Sequence, residues 1–147
     1  MATLREAGTA DLDRIMELED LCFGAEAFNR RQYRRLLQSP RCRILLQEEG
    51  RDLAGMLVVT WRLDSSILRI YSIAVTPRSQ GRGLAKILMN EAIDLGLRLG
   101  RKWVVLEVNA RNDAAIGLYH KYGFQEVVTI PDYYGEGKHA LRMALKL

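Results

Sequence analysis

The stretch TPRSQGRGLAKILM, Thr76 to Met89, constrains the fold more than any other part of the chain. Before it, YSIAV alternates as a strand does. After Gly83 the apolar positions Leu84, Ile87, Leu88, Ala92, Leu95 and Leu99 recur at a period of about 3.6, predicting a helix that stops at Gly100. A strand that turns into a helix across Gly81 and Gly83 makes either an anion site or simply a tight turn. The first helical turn leaves N–H groups without internal partners, and the macrodipole adds partial positive charge there. Glycine suits the corner because a side chain would hold the backbone off an anion and resist the positive φ that converges N–H groups. Arg82 and Lys86 add countercharge at the rim. GRGLAK satisfies neither the GxxxxGK(S/T) of the P-loop nor the GxGxxG of dinucleotide sites, which disfavours nucleoside-triphosphate and NAD chemistry.

The remaining pattern is read around this corner. A short strand, Thr3 to Glu6, leads to a helix through DLDRIMELEDLCF capped by Thr9, with Leu12, Ile15, Met16, Leu18, Leu21 and Cys22 on one stripe. An arginine-rich helix ends near Ser39-Pro40. Arg43 to Gln47, Leu53 to Arg62 and Leu68 to Val75 then read as three consecutive antiparallel strands. Trp103 to Val108 suits a strand inside a sheet, Asn112 caps a helix over DAAIGLYHKY closed by Gly123, and two further strands follow. The order is βαα βββ α β α β β, without repeats or linkers.

A chain of 147 residues fits one domain, residues 1–147, able to bury a core without a metal or disulfide framework. The N-terminus carries acidic residues and no continuous apolar core, so neither a signal peptide nor a membrane span is expected, and a cytoplasmic location follows by default. Cys22 and Cys42 show neither CxxC nor His-paired spacing and read as reduced thiols, with no metal site. The net charge of +4 favours an anionic partner through steering. Basic density peaks between Asn29 and Arg43, where arginines at 30, 31, 34 and 35 read as a solvated helix face. No base-reading motif accompanies them, so no stable nucleic-acid complex is expected.

Residues 80 to 85, QGRGLA, match the Q/R-x-x-G-x-G/A signature, and the chain on these residues resembles the GNAT superfamily, the GCN5-related acetyltransferases. LEVNARNDAAIGLYHKYGF, Leu106 to Phe124, is similar to the LEVxxxNxxAxxLYxxxGF segment of their bacterial ribosomal-protein alanine N-acetyltransferase branch, as is the tail DYYGEGKHALRMAL. The resemblance implies an α/β (α+β) fold: a mixed, mostly antiparallel central sheet of about six to seven strands, helices on both faces, and splayed strands four and five. It implies acetyl-CoA as co-substrate, no metal, and a protein or peptide N-terminus, such as that of a ribosomal protein, as acceptor.

By the same resemblance the amides of Gln80, Gly81, Arg82, Gly83, Leu84, Ala85 and Lys86 hold the coenzyme A diphosphate. Ile73, Ala74 and Val75 offer main-chain groups to pantetheine and the acetyl carbonyl. Glu107, a carboxylate in an otherwise apolar strand, takes the role of general base, and Tyr119, twelve residues on, that of general acid. Asn112 both caps its helix and reaches the cofactor, while Tyr122 belongs to the core. Tyr133 and Tyr134 line the acceptor cleft or pack against a helix. His120 and His139 carry no catalytic role, although His139 stands where the branch often has an acidic residue. A small amine as acceptor, a non-catalytic acyl-CoA-binding module, and a nucleic-acid binder using Arg30 to Arg43 stay open, as does the choice between monomer and homodimer.

Overall fold

A computed structural model describes residues 2–147. The seven strands are β1 (Thr3–Glu6), β2 (Cys42–Glu49), β3 (Asp52–Trp61), β4 (Ile67–Val75), β5 (Trp103–Asn109), β6 (Gln125–Ile130) and β7 (Ala140–Lys146). The helices are α1 (Leu12–Phe23), α2 (Arg30–Gln38), α3 (Leu84–Arg98) and α4 (Asp113–Tyr122). One sheet of order β1-β2-β3-β4-β5-β7-β6 contains every strand. All neighbours are antiparallel except β4 and β5, whose parallel pairing requires the crossover that α3 supplies.

Apolar side chains leave the sheet on both faces. On one, α1 and α2 cover Ile44, Leu46, Met56, Val58 and Ala74 with Ile15, Leu18 and Tyr33. On the other, Leu88, Met89, Ala92 and Leu95 of α3 pack on Leu57, Val59, Leu68, Ile70, Val104 and Leu106, and α4 adds Ile116, Tyr119 and Tyr122. Each fully buried aliphatic side chain contributes about 1.5–3 kcal/mol relative to an exposed one. The central β3 therefore reads as a nearly continuous apolar run rather than an alternating one.

Three local expectations need correction. Thr9 is not a helix cap: a 3₁₀ turn spans Thr9–Asp11, and Asp11 stands at the start of α1, accepting from the Gly8 amide at 2.8 Å and from Arg5. In α1 the stripe runs through Ile15, Leu18 and Glu19, and Leu21 is exposed; a buried glutamate takes an apolar position because its oxygens are satisfied there. Ile87 of α3 also lies exposed, one step off its packed stripe. The arginine-rich helix behaves as read, burying Tyr33 and exposing Arg30, Arg31, Arg34 and Arg35. It begins with a reciprocal cap between Asn29 and Gln32.

Candidate active site

The parallel pairing of β4 and β5 stops after Ile70 meets Leu106. Beyond that point the strands diverge, leaving one edge of Tyr71–Val75 without a ladder partner while the other edge stays bonded to β3. The divergence starts at a bulge. Val58 faces Ser72 and Val59 faces Ile70, so Tyr71 is an extra residue on β4. The bulge also reverses the sidedness of the strand. Leu68 and Ile70 face α3, whereas Ser72 and Ala74 face α1 and α2.

The gap opens into a cleft of about 870 Å³. At one end lies the glycine corner. Gly81 and Gly83 have φ of 83° and 79°, the left-handed region that glycine occupies without strain. The first α3 bond runs from the Ile87 amide to the Gly83 carbonyl at 3.2 Å, leaving the amides from Gly81 to Lys86 free to meet a ligand, whereas the Gln80 amide, expected among them, is bonded to the Pro77 carbonyl at 3.4 Å. Gln80 fastens the corner to β4 by donating to the Val75 carbonyl at 3.3 Å. Gln47, buried in β2, donates to the Leu84 carbonyl at 2.9 Å and ties the first residue of α3 to the sheet. That contact requires Gly55 opposite: a Cβ there would stand 2.1 Å from Gln47 Oε1.

The cleft wall brings together Ile73, Ala74 and Val75 of β4 with Gln80, Gly81 and Gly83. Leu84, Ala85 and Lys86 continue it into α3, and Glu107, Asn112 and Tyr119 face it from β5 and α4. Asn112 caps α4 through the Ala115 amide, 3.1 Å away. Arg82 departs from the expectation: its guanidinium turns to Glu49 in a two-pronged ion pair and does not line the cleft. Tyr133 and Tyr134 both line it, in edge contact at a centroid distance of 4.9 Å.

Glu107 is clamped. Arg69 Nη1 bonds Oε1, and Arg142 Nε reaches Oε2 at 3.0 Å, with the carboxylate only 8% exposed. A carboxylate offers about four acceptor positions, so two remain for water or substrate. Burial, assisted by neighbouring Tyr122, pushes the Tyr119 phenol up to about 12, so it keeps its proton at neutral pH. Phe124 holds its ring edge-on at 5.8 Å.

Sequence reasoning missed the opposite wall. Glu19 is 1% exposed and accepts from Tyr33 Oη at 2.5 Å, Ser72 Oγ at 3.1 Å and the Phe28 amide at 3.0 Å, joining α1, α2, β4 and the α1–α2 connection. Burial moves its carboxyl above the usual range. Phe28 stacks on Tyr71 at 4.2 Å, and Asn109 Nδ2 donates to Glu26, closing the wall toward β5. The only signal for these groups was polar residues inside apolar runs, as in IMELE and ILLQ. Among the described residues no group of three or more His, Cys, Asp or Glu side chains could hold a metal, and no helix is long and apolar enough to cross a membrane.

An open strand edge beside free amides suits an extended, phosphate-bearing ligand, with a carboxylate and a phenol beyond it. Comparison with known proteins gives that arrangement a context. Residues 12–124 match the model of the acetyltransferase (GNAT) family. The N-alpha-acetyltransferase RimI of Mycobacterium tuberculosis (strain ATCC 25618 / H37Rv) is 34% identical over 129 residues, 85% of this chain and 79% of that one. The ribosomal protein bS18-alanine N-acetyltransferase of Escherichia coli (strain K12) is 36% identical over 89 residues, 60% of this chain and 58% of that one. The crystal structure of the ribosomal-protein-S18-alanine N-acetyltransferase from Escherichia coli matches 99% of this chain and 94% of its own, with a TM-score of 0.87 and 27% identity. Matched in sequence across most of its length and in backbone across nearly all of it, the chain belongs to the GNAT acetyltransferase family and is an acetyl-transfer enzyme.

Proposed function

We propose that the chain transfers the acetyl group of acetyl-CoA directly to the N-terminal α-amino group of a protein, such as a ribosomal protein. The observation that carries this reading is one cleft holding the amide corner, the open edge of β4, and Glu107 and Tyr119 together. The amides from Gly81 to Lys86 bind the diphosphate, and Lys86 adds charge at the mouth. The free edge of Ile73–Val75 pairs with pantetheine and aims a main-chain N–H at the acetyl oxygen, the usual way to stabilise charge developing on a carbonyl.

Glu107 accepts the proton that the α-amino group must lose, directly or through a water on one of its two open acceptor positions. The arginines on either oxygen fix its direction. Tyr119 returns a proton to the departing thiolate. A phenol at about 12 is a weak acid, but the dry surroundings that raise it also raise a thiol leaving there, which keeps the two matched.

Thiol release from acetyl-CoA tests the reading with peptides bearing a free N-terminal alanine, set against polyamines and aminoglycoside-type amines. Peptide turnover should dominate. Tyr119→Phe should lower kcat by about 100-fold or more with KM for acetyl-CoA nearly unchanged. Normal turnover in that variant removes Tyr119 from the role of acid, and thiol release with amines but with no peptide overturns the acceptor.

A further inference from the structure

Glu107 meets more positive charge than it neutralises: Arg69 lines the cleft, and Arg142, outside that lining, reaches the same carboxylate. Arg69 of β4 and Arg142 of β7 each spend one bond on Glu107, through Nη1 and Nε respectively. The other donors of both guanidiniums make no hydrogen bond within the described residues, and the side chains are 35% and 36% exposed. Two fixed positive charges meet one carboxylate, so the trio carries one positive charge in excess. Glu107 and Arg142 are directly opposed across β5 and β7, and Arg69 reaches the same carboxylate from β4. The donors therefore form a fixed row over the face that α1 and α2 leave uncovered. Tyr133 stands beside them: its phenol feels Glu107, Arg69 and Arg142, and it lines the cleft.

The other carboxylates lining the cleft make no ion pair with this row. Glu19 is enclosed and committed to three donors. Glu26 is engaged by Asn109, and Lys86 lies at the glycine corner. What an entering acceptor meets near Glu107 is the Arg69 guanidinium on the cleft wall, with that of Arg142 partly exposed on the same carboxylate, and their forked N–H groups match a carboxylate.

On the reading of the site given above, we infer that Arg69 and Arg142 select acceptors that carry a carboxylate within two residues of the reacting amine. The reach follows from contact. Both arginines touch the carboxylate assigned to the amine, and consecutive Cα atoms lie about 3.8 Å apart, so the second and third acceptor residues pass the row. Such a carboxylate comes either from an acidic side chain of a peptide or from the α-carboxylate of a single amino acid.

The test uses the full chain with acetyl-CoA and alanine-initiated peptides that differ only at position two, glutamate, glutamine or lysine, alongside free alanine and alaninamide. Wild type should favour the glutamyl over the lysyl peptide by about tenfold in kcat/KM, chiefly through KM, with glutamine between, as half-exposed charge pairs of this kind allow. Arg142→Gln should bring the ratio close to one, Arg142→Glu should invert it, and added salt should shrink it in the wild type. Arg69→Gln is the second variant, should β7 tolerate substitution poorly. A preference for alanine over alaninamide that Arg142→Gln erases supports the arginine row with an α-carboxylate as its ligand. Equal turnover of all three peptides by wild type overturns the inference. So does a parallel fall for every acceptor in both variants, which leaves the arginines serving Glu107 alone. Failure of every amine to release thiol removes the proposed function as well; release with the glutaminyl peptide but no charge preference removes only this inference.

Discussion

Gly83→Ala separates a conformational requirement from a packing one. The residue precedes α3 with φ of 79°, and a Cβ built on it meets no heavy atom within 4 Å. The substitution therefore introduces no clash, only left-handed strain of about 1–2 kcal/mol. For a chain of this size each kcal/mol shifts Tm by about 2–4 °C, so the melt should fall by about 2–8 °C. Gly117 is the control, since it also has open space around its Cβ but sits inside α4 with ordinary helical φ. There alanine should stabilise by about 0.5–1 kcal/mol. The two variants should thus move Tm in opposite directions for the same added methyl group. Function should divide them too. If Gly83→Ala relieves its strain by rotating toward negative φ, the amides of Leu84 and Ala85 turn from the ligand. One lost hydrogen bond to a charged group amounts to about 1.5–3 kcal/mol, or about 10–100-fold in KM for acetyl-CoA, with KM for the acceptor little changed. Melting scans with and without acetyl-CoA and a thiol-release titration read both quantities. A Gly83→Ala protein with wild-type Tm and wild-type KM for acetyl-CoA would refute the argument from backbone conformation.

The pH profile of kcat follows from the acid and the amine. Turnover should rise as an α-amino group loses its proton near about 8 and then stay level beyond pH 10, because the acid must be protonated and burial moves Tyr119 up to about 12; an alkaline limb centred near 10 would contradict the buried phenol. Glu19→Gln should destabilise the fold by about 1–3 kcal/mol, since an amide nitrogen replaces an oxygen that accepts one of three converging donors. The sign with pH is fixed by its raised carboxyl: wild-type stability from this group is complete below the unfolded value near about 4.3 and declines as pH rises through the folded one. The gap between wild type and Glu19→Gln, read as urea midpoints at several pH values, should therefore narrow on going from acid to neutral; a widening gap would show a carboxylate favoured by the fold.

Legibility in the sequence tracked local physics. The strand–glycine–helix corner, the Asn112 cap and the Gly123 stop each depend on a few adjacent residues, and each stands where those residues imply. The order of elements followed from hydrophobic period together with local caps and turn residues. Pairings across the sheet were harder to see. Nothing near Arg82 indicates that Glu49, thirty-three residues away, will take its guanidinium from the cleft. Nothing beside Glu107 announces Arg69 or Arg142, because those contacts exist only once β4, β5 and β7 lie side by side. Glu19 was hidden for a related reason: a charged residue on an apolar helix stripe is read outward until partners from three other segments are known.

Tyr71 connects these failures to the function. Were Tyr71 paired regularly instead of bulged, strict alternation would send Ser72 and Ala74 to the same face as Leu68 and Ile70, toward α3. Ser72 could not then reach Glu19, and the α1–α2 connection would lose its attachment to the strand. The bulge lets one strand keep an apolar face on α3 along its first half and a polar contact to α1 along its second. It sits at the place where parallel pairing with β5 ends, so the residue that reverses sidedness also begins the gap. One bulged residue therefore does two things at the same point: it begins the open strand edge of the cleft and keeps on its other face the wall built by Glu19, Phe28 and Tyr71.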